Sequence, residues 1–428
     1  MSEGKALVPK LRFSEFREAG EWNATPLDHL AARSKQKNRD EKIDRVLTNS
    51  AEFGVLDQRD YFDKDIATQG KLEGYFVVKL GDYVYNPRIS ATAPVGPISK
   101  NNIGTGVMSP LYTVFKFKDS NNDFYHHYFK TTGWHAYMRQ SSSTGARHDR
   151  MAIASEDFMA MPMPLASSEE QQKIADCLSS VDELIAAQAR KLDALKTHKK
   201  GLTQQLFPRE GETQPRLRFP EFQNAGEWEM KSIGDLKPFI TSGSRGWAAF
   251  YAERGPLFVR ITNLSRGSIY LDHTDSKFVD LPAGANEGVR TQLKEHDVLI
   301  SITADIGIVG YVDKRVPTPA YINQHIALVR FDASKVSGRF MAYFLASEKS
   351  ERLFRASSDT GTKAGMSLFG VQKMPVLLPT LQEQHRIADC LTSLDDLITA
   401  QTQKLEALKT HKKGLMQQLF PSPEEVSA

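Results

Sequence analysis

The chain has 428 residues, enough for two or three domains that each bury a core of their own. A hydrophobic share of 40% with 25% charged residues is ordinary for a globular protein, and a net charge of +3 excludes any global electrostatic argument for nucleic-acid binding. No stretch approaches the ~20 apolar residues that cross a bilayer, and the polar start "SEGKALVPK" has no apolar leader region. We therefore predict a cytoplasmic protein without a membrane partner.

The first feature along the chain is the stretch "PKLRFSEFREAGEW" at Pro9–Trp22. It returns as "PRLRFPEFQNAGEW" at Pro215–Trp228, with 10 of 14 positions identical at a shift of 206 residues. This period is far too long for a solenoid repeat. We refer to the two copies as the opening motifs, and they predict two tandem units.

Strand-like runs dominate the variable part of each unit. The first unit has "YFVVKLGDYVYN" from Tyr75 and "LYTVFKFK" from Leu111, followed by the helical stretch "YHHYFKTTGWHAYMRQ" from Tyr125. The second unit has strand-like runs from Asp297 and from His325, and a helical stretch follows them in the same place. Both variable parts are therefore predicted to be mixed α/β domains.

Each variable part has a basic half. Residues 83–148 contain seven Lys or Arg against two acids, and residues 298–363 contain nine against six. Basic loops rich in Ser, Thr and Gly suit phosphate contacts and base edges. The loops "SSSTGARHDR" (Ser141–Arg150) and "SSDTGTKAG" (Ser357–Gly365), which we call the TG loops, are the best candidates. Each is alternatively a solvated polar turn.

A long helix follows each variable part, and the two copies are nearly identical. Residues 169–208 and 382–421 share 29 of 40 positions at a shift of 213. Apolar residues alternate four and three apart from Ile174 and again from Ile387, which predicts a coiled-coil seam. Ser167 with Glu170 fits a helix capping box, and so does Thr380 with Glu383.

The order domain, helix, domain, helix most simply pairs the two helices antiparallel. A helix from Ile174 to Leu206 is about 50 Å long at ~1.5 Å per residue. Adjacent half-sites on duplex DNA are about 34–36 Å apart, so such a rod suits two reading heads on one DNA face. The alternative is two separate surface helices, each packed on its own domain. Cys177 and Cys390 fall at matching helix positions and are predicted to be packing residues.

No catalytic constellation is evident in the sequence. It has no G-x-x-x-x-G-K-[ST] phosphate loop, no H-E-x-x-H and no paired C-x-x-C. Its "NPRIS" from Asn86 keeps only the first two residues of the N/D-P-P-Y/F stretch of adenine and cytosine methylases. We predict a chain that is not an enzyme and that binds neither a metal nor a cofactor.

Three recurring signatures together resemble the specificity subunit of type I restriction–modification systems. They are the "LRF-x-EF…GEW" opening, the "EQ-x-x-IADCL" entry to each helix and the "KKGLxQQLFP" exit. The resemblance covers the whole chain. It implies target recognition domains at residues 1–165 and 209–378, spacer and docking helices at 166–208 and 379–421, and a tail at 422–428.

The resemblance also implies a function and partners. Each target recognition domain would read one half of a bipartite, asymmetric sequence in double-stranded DNA. The paired helices would set the gap between the halves and dock two modification (methyltransferase) subunits, and two restriction (translocase and nuclease) subunits would complete the assembly. S-adenosylmethionine, Mg and ATP would bind only to those partners. Two identical partners need two equivalent docking surfaces, whereas two different half-sites need two different readers.

Two alternatives remain open from the residues alone. One is a coiled-coil adaptor that binds protein partners and never contacts DNA. The other is the specificity subunit of a system that only methylates.

The predicted fold is thus mixed α/β, with two target recognition domains joined by an intramolecular antiparallel coiled coil in a pseudo-twofold tandem repeat. Local charge and repeat position give thirteen candidate DNA-binding residues. They are Asn49, Arg88, Lys100, Thr144, Arg147, His148, Arg150, Arg245, Arg260, Asn263, Gln324, Thr360 and Lys363. The candidates for helix pairing and partner docking are Ile174, Leu178, Ile185, Leu192, Leu195, Lys199, Leu202, Leu206, Ile387, Leu391, Ile398, Leu405, Leu408, Lys412, Leu415 and Leu419.

Overall fold

A computed structural model describes residues 7–61, 72–144, 149–282, 286–357 and 365–421. Their contacts divide the chain into two compact units. Unit 1 contains residues 1–188 and 404–428, and unit 2 contains residues 189–403. Each unit therefore combines one variable part, the first half of one long helix and the last half of the other. Within the described ranges, no helix combines the length and the apolarity needed to span a membrane.

In its described residues, the first variable part with the helix that follows it has twelve strands and six α-helices. The strands are β1 Asn23–Pro26, β2 Ala31–Arg33, β3 Leu47–Ser50, β4 Gly54–Asp57, β5 Phe76–Val78, β6 Tyr83–Tyr85, β7 Ile98–Lys100, β8 Gly106–Met108, β9 Thr113–Phe117, β10 Ser143–Thr144, β11 Met151–Ala152 and β12 Pro162–Leu165. The helices are α1 Leu27–Leu30, α2 Gln58–Tyr61, α3 Asp123–Tyr128, α4 His135–Ser141, α5 Ser155–Met159 and α6 Ser168–Leu206.

The second variable part and its helix have nine strands and five α-helices within the described ranges. The strands are β13 Glu229–Ser232, β14 Phe239–Ser242, β15 Tyr251–Val259, β16 Phe278–Val279, β17 Val298–Ser301, β18 Val309–Tyr311, β19 Ala320–Ile322, β20 Ile326–Arg330 and β21 Pro375–Leu378. The helices are α7 Asn286–Thr291, α8 Gly338–Leu345, α9 Glu348–Ala356, α10 Leu368–Gln372 and α11 Leu381–Leu419.

Both units are built on an antiparallel four-stranded sheet of the same connectivity. The strand order is β2-β9-β6-β7 in unit 1 and β14-β20-β17-β18 in unit 2. Val84 faces Val114 across the β6–β9 pair, and Leu299 faces Leu328 across the β17–β20 pair. These strands lie in the strand-like runs of the two variable parts, so the predicted mixed α/β repeat is confirmed. The runs "VLTNS" (Val46–Ser50) and "RITNL" (Arg260–Leu264) also align in the repeat, at a shift of 214 residues. The first contains strand β3, whereas the second contains a 3-10 helix at Ile261–Asn263.

The ends of the long helices lie inside the cores of the two units. In unit 1, Phe420 packs against Phe124 with ring centroids 5.1 Å apart. In unit 2, Phe207 packs against Phe340 at 5.7 Å and Phe344 at 5.5 Å. Buried aromatic rings in contact contribute about 0.5–1.5 kcal/mol per pair beyond their burial. The "LFP" ends of both helices are thus core residues of their own units.

The two long helices pair antiparallel, as predicted. The start of α6 shares the core of unit 1 with the end of α11, and the start of α11 shares the core of unit 2 with the end of α6. Every position of the predicted seam is buried or half-buried. Outside the seam, Leu184 is 57% exposed and Leu397, at the matching position of α11, is 40% exposed. The 3.5-residue spacing therefore follows a buried face of each helix, and the role of its residues in helix pairing stays a prediction.

Candidate nucleic-acid interface and helix-fastening sites

The opening motif of unit 1 fastens the start of α6. Arg12 Nε donates to Glu170 Oε1 at 2.8 Å, and Trp22 Nε1 donates to Glu170 Oε2 at 3.0 Å. Arg12 Nη1 also donates to the carbonyl of Ala19 at 2.7 Å. The side chain of Glu170 is only 2% exposed, and a buried carboxylate needs such a charged, hydrogen-bonded partner.

These contacts correct the predicted capping box. Glu170 N donates to Ser167 Oγ at 3.2 Å, and Glu383 N donates to Thr380 Oγ1 at 3.4 Å, as the pattern requires. The carboxylates of Glu170 and Glu383, however, bind the arginines of the opening motifs. Only the Ser/Thr half of each capping box forms, because an arginine partner is stronger than a neutral backbone donor for a buried carboxylate.

Unit 2 repeats this arrangement at the start of α11. Arg218 Nε and Nη2 each donate to the Glu383 carboxylate at 2.7 Å, and Arg218 Nη1 donates to the carbonyl of Ala225 at 2.8 Å. The hydrogen bond to Glu383 raises the pKa of Arg218 above its usual value. Trp228 is buried like Trp22, but its indole nitrogen has no hydrogen-bond partner within the described residues.

Each opening motif also reaches the end of the other helix. Leu11 N donates to the carbonyl of Gln418 at 2.9 Å, and Leu217 N donates to the carbonyl of Gln205 at 3.0 Å. The last turn of a helix leaves its carbonyls without intrahelical partners, so these donors satisfy groups that would otherwise be orphaned. Each motif thus fastens the start of one helix and the end of the other, and we call this arrangement the helix clasp. It explains why the opening, entry and exit signatures recur together.

A polar cluster interrupts the seam in unit 2. Lys199 Nζ donates to Asp395 Oδ1 at 2.6 Å, and the Tyr343 hydroxyl donates to Asp395 Oδ2 at 2.7 Å. Burial and the Asp395 carboxylate raise the pKa of Tyr343, so its hydroxyl remains a donor. A buried polar pair in a seam favours one register, because any slip leaves both charges without partners.

Unit 1 has the matching cluster, with a histidine in place of the tyrosine. Lys412 Nζ donates to Asp182 Oδ2 at 2.6 Å, and His127 Nε2 lies 3.1 Å from Ser179 Oγ. Burial and the charges of Lys130 and Lys412 lower the pKa of His127 to about 4. Its ring nitrogen Nδ1 lies 4.0 Å from Asp182 Oδ2, but a neutral imidazole makes no ion pair there. Burial alone would raise the pKa of Asp182, and the hydrogen bond to Lys412 instead holds that pKa below its usual range.

Two of the candidate DNA-binding residues meet at the end of the first TG loop. Arg88 and Arg150 form an isolated antiparallel bridge, and both side chains lie within 4 Å of Asp149 Oδ2, at 3.8 and 3.9 Å. The Arg88 side chain is 59% exposed and that of Arg150 is 26% exposed. Thr144 lies in β10, but its side chain is outside the described part, as are Arg147 and His148 entirely.

Asn49 and Lys100 are engaged within unit 1. Asn49 is 2% exposed, and its Nδ2 donates to the carbonyls of Val84 at 2.8 Å and Pro97 at 3.2 Å. Lys100 Nζ donates to Asp123 Oδ1 at 2.6 Å, and the lysine side chain is 12% exposed. Both side chains therefore hold the fold of unit 1 in this conformation.

The second TG loop ends at an equivalent place. Gly365, the last residue of this loop, forms an isolated bridge to Thr303. Gly365 and Thr303 lie 215 positions after Arg150 and Arg88, respectively. Thr303 Oγ1 is 2.5 Å from His325 Nδ1, and Gln324 Nε2 is 3.0 Å from His325 Nε2. We call the bridge at the end of each TG loop the TG-loop anchor, and the structure thus places Gln324 beside the anchor of unit 2. Thr360 and Lys363 lie outside the described residues.

The remaining candidates of unit 2 separate into one exposed and two engaged residues. Arg245 is exposed. Arg260 Nη2 donates to Asp275 Oδ2 at 2.7 Å. Asn263 is 1% exposed and bonds only backbone groups, accepting from Arg260 N at 2.9 Å and donating to the carbonyl of Asp272 at 2.8 Å. Asn263 matches Asn49 of unit 1 in the repeat, and both asparagines brace buried backbone.

Arg12, Arg218, Asp182 and Asp395 were not among the residues predicted from the sequence. The sequence did contain a signal for them. Arg12 recurs as Arg218 at the shift of the opening motifs, and Asp182 recurs as Asp395 at the shift of the long helices. Repetition of a charged residue at matching positions of two buried interfaces indicates a structural partner. Among the described residues, no group of three or more His, Cys, Asp or Glu is placed to hold a metal ion.

Comparison with known proteins agrees with this construction. Residues 226–410 match the family model of the type I restriction modification DNA specificity domain. The type I restriction enzyme MjaVIII specificity subunit of Methanocaldococcus jannaschii is 26% identical over 293 residues, a match that covers 66% of this chain and 65% of that relative. The chain therefore spans slightly less than two thirds of this curated relative.

Solved structures show the same fold. The type I restriction-modification system S subunit from M. genitalium superposes with a TM-score of 0.56 at 14% identity, covering 97% of this chain and all of that one. A chain from a structural study of assembly and conformational transition in a type I R-M system gives 0.55 at 16% identity, covering 94% and 98%. The chain therefore shares the fold of these solved structures, and residues 226–410 are similar in sequence to the type I restriction modification DNA specificity domain, as the motifs predicted.

Proposed function

We propose that this chain reads a bipartite, asymmetric sequence in double-stranded DNA and directs modification and restriction subunits to it. Each unit would read one half-site. The observation that carries the proposal is the contrast between the two parts of each unit. The sheet, clasp and seam repeat, whereas the polar residues at the TG-loop anchor differ: Arg88 and Arg150 in one unit, Gln324 and His325 in the other.

The chemistry of these anchors suits base and phosphate contacts. Exposed arginine reads guanine or contacts phosphate, and glutamine reads adenine through its amide. Different side chains at one anchored loop give two readers with different half-site preferences on the same frame. The chain itself would catalyse nothing, and the methyl donor, nucleotide and divalent metal would bind to the partner subunits.

The exposed face of each long helix is the proposed docking surface for a modification subunit. Leu184 and Leu397 are apolar, exposed and at matching positions of the two helices. Matching surfaces suit two copies of one partner, which is the symmetry argument for keeping the helices alike.

The test is DNA binding as a function of salt. We expect the chain, with its modification subunit, to bind target duplex with an affinity that falls steeply as salt rises, and Arg88→Ala to reduce the slope of log K against log salt by about 1 if Arg88 contacts a phosphate. Arg39→Ala, another exposed arginine of unit 1, is the matched control. Absence of duplex DNA binding at low salt would favour the adaptor alternative. Single-molecule methylation sequencing of DNA from cells that carry both subunits would identify the target.

A further inference from the structure

Unit 2 contains a cavity of about 920 Å³ beside the C-terminal half of α6. Its other walls come from α8 and α9, from the chain around Gly267 and from Asp395 and Ile398 of α11. Pockets of ~300–1,000 Å³ are large enough to enclose a small molecule or several side chains of a peptide. The DNA-reading role proposed above makes no use of this cavity, which lies against the "KTHKKGL" stretch of α6.

The floor of the cavity is apolar. It includes Phe207, Ile269, Phe344 and Ile398. The first three belong to the core of unit 2, so they form a fixed surface rather than a mobile one. Phe207, Ile269 and Phe344 are 5%, 2% and 3% exposed and Ile398 is half-buried, so an apolar side chain of an occupant would contact a floor that already excludes most water.

The rim of the cavity has an excess of positive charge. Seven Lys or Arg and four acids line it. Three of the acids are already neutralised: Asp395 by Lys199 at 2.6 Å, Glu348 by Lys200 at 2.9 Å and Glu351 by Arg266 at 2.9 Å.

Three of the rim cations remain available for an occupant. Lys196, Arg209 and Arg352 are exposed and form no ion pair within 4 Å among the residues that the structure describes, and Arg352 acts on Glu348 only through a weaker charge interaction. Lys349 donates to the carbonyls of Pro208 and Arg209 at 3.4 and 3.0 Å. The fourth acid of the rim, Glu210, interacts electrostatically with Lys349. The rim is therefore complementary to carboxylates.

We propose that this cavity binds an acidic segment of a protein partner, with one apolar side chain on the floor and carboxylates against Lys196, Arg209 and Arg352. The inference rests on the proposed function only in naming the modification subunit as the protein that carries the segment. Duplex DNA would satisfy the charges of the rim but has no apolar group to place on the floor, so the concave shape and the aromatic floor favour a peptide.

Gly267 permits a direct test, because it lines the cavity and a Cβ added there would meet no atom within 4 Å. Gly267→Trp fills the cavity from a position that tolerates a side chain. The double variant Lys196→Glu with Arg352→Glu reverses the charge of the rim and leaves the floor intact. The matched controls are Gly74→Trp, also at a glycine with open space, and Lys314→Glu, an exposed lysine of unit 2 outside the cavity.

The probe is a fluorescein-labelled peptide with two glutamates on each side of a Leu–Phe pair, measured by fluorescence polarisation with the full chain. Two further peptides replace the glutamates by lysines or the Leu–Phe pair by alanines. We expect the acidic apolar peptide to bind at least about tenfold more tightly than either of these, and both cavity variants to weaken it by about tenfold, whereas both controls leave it unchanged.

Three results would overturn the proposal. The first is that the alanine peptide binds as tightly as the acidic apolar peptide. The second is that the acidic apolar peptide binds Gly267→Trp as tightly as the wild type. The third is that duplex DNA displaces this peptide equally well from the wild type and from Gly267→Trp. If Gly267→Trp fails to fold, as judged by circular dichroism, the rim variant alone decides. Co-elution with the modification subunit is the second readout, and salt-dependent DNA binding by the cavity variants separates this inference from the proposed function. Loss of co-elution with DNA binding retained supports the cavity site, whereas absence of DNA binding in the wild type contradicts only the proposed function.

Discussion

At the scale of single residues, Arg12 and Arg218 of the helix clasps each pair with a buried carboxylate. Arg218→Leu would leave the carboxylate of Glu383, 1% exposed, buried without its charged partner. Removing one member of such a pair costs about 3–5 kcal/mol of the free energy of unfolding. We expect a large loss of stability in denaturant unfolding of the full chain.

The neighbouring Arg216 supplies the control for this prediction. It pairs with Glu212 at 3.3 Å, and its side chain is 52% exposed. Exposed pairs contribute about 0–1 kcal/mol, so Arg216→Leu should change the free energy of unfolding little. Equal effects of the two substitutions would show that the clasp does not stabilise unit 2.

The buried His127 and the half-buried His126 make the stability of unit 1 depend on pH. Burial lowers the pKa of His126 to about 3 and that of His127 to about 4, from an ordinary value of 6.5 in the unfolded chain. Between about pH 6.5 and pH 4 the unfolded chain therefore binds more protons than the folded chain. The free energy of unfolding is thus highest above pH 6.5 and falls as the pH falls through this window, by up to about 1.4 kcal/mol for each pKa unit of a fully buried group.

We expect His127→Gln to flatten this dependence, since glutamine retains a polar group but does not titrate. The measurement is the thermal midpoint at several pH values between 7 and about 4.5. His385→Gln, which changes an exposed histidine, is the control. A profile of His127→Gln as steep as that of the wild type would assign the acid sensitivity to other groups.

The residue scale is also where prediction from sequence was weakest. Local charge and repeat position include Asn49 and Asn263 among the candidate DNA-binding residues, yet both are buried and donate to backbone carbonyls. An amide bonds a base edge and a peptide group with the same atoms, so residue type alone does not distinguish the two. Burial decides between them, and burial depends on tertiary contacts between segments tens of residues apart.

At the scale of elements, the helices were predictable because a seam with a period of 3.5 residues is a local pattern. The short elements were less so: "VLTNS" and "RITNL" align, but one is strand β3 and the other a 3-10 helix. Such short runs are decided by what packs on them rather than by propensity. The repeat likewise did not predict that the C-terminal ends of the long helices are buried in the cores of the units.

Substitutions in the buried seam and on the exposed face of the long helices should have different consequences. Leu192 and Leu405 lie in the seam, 6% and 8% exposed, so replacing both by Asp should disrupt helix pairing and, through it, all assembly. Leu184→Asp with Leu397→Asp changes the exposed face instead. We expect this second pair to retain the circular dichroism spectrum and thermal midpoint of the wild type.

Co-purification with the modification subunit then tests the docking role of the exposed face. The Leu184→Asp and Leu397→Asp double variant should lose at least about tenfold in affinity for that subunit, because an apolar contact on each helix becomes a charged one. Full retention of assembly by a correctly folded double variant would place the docking surface elsewhere on the chain.

At the scale of the whole molecule, the spacer hypothesis states that the two paired helices together set the gap between the half-sites. Each unit combines residues of both, with Asp182 paired to Lys412 in one and Lys199 to Asp395 in the other. Lengthening one helix alone would shift these pairs out of register. A spacer variant therefore needs whole heptads inserted at matching midpoints, after Gln188 and after Gln401, so that the seam stays in phase.

The predicted outcome depends on the DNA helix as well as on the protein. One heptad adds about 10 Å, or about three base pairs, and the second half-site then turns by roughly a third of a helical turn. Three heptads add about 32 Å, close to the 34–36 Å of one full DNA turn. We expect methylation to be strongly reduced with one heptad and to return with three, at a site with the same half-site bases and a gap longer by about nine or ten base pairs. The measurement is single-molecule methylation sequencing in cells with the modification subunit, and the control inserts three heptads after Gln188 only, which should abolish methylation. Methylation of the original site by the three-heptad variant, or a change in the half-site bases, would exclude a spacer role for the helices.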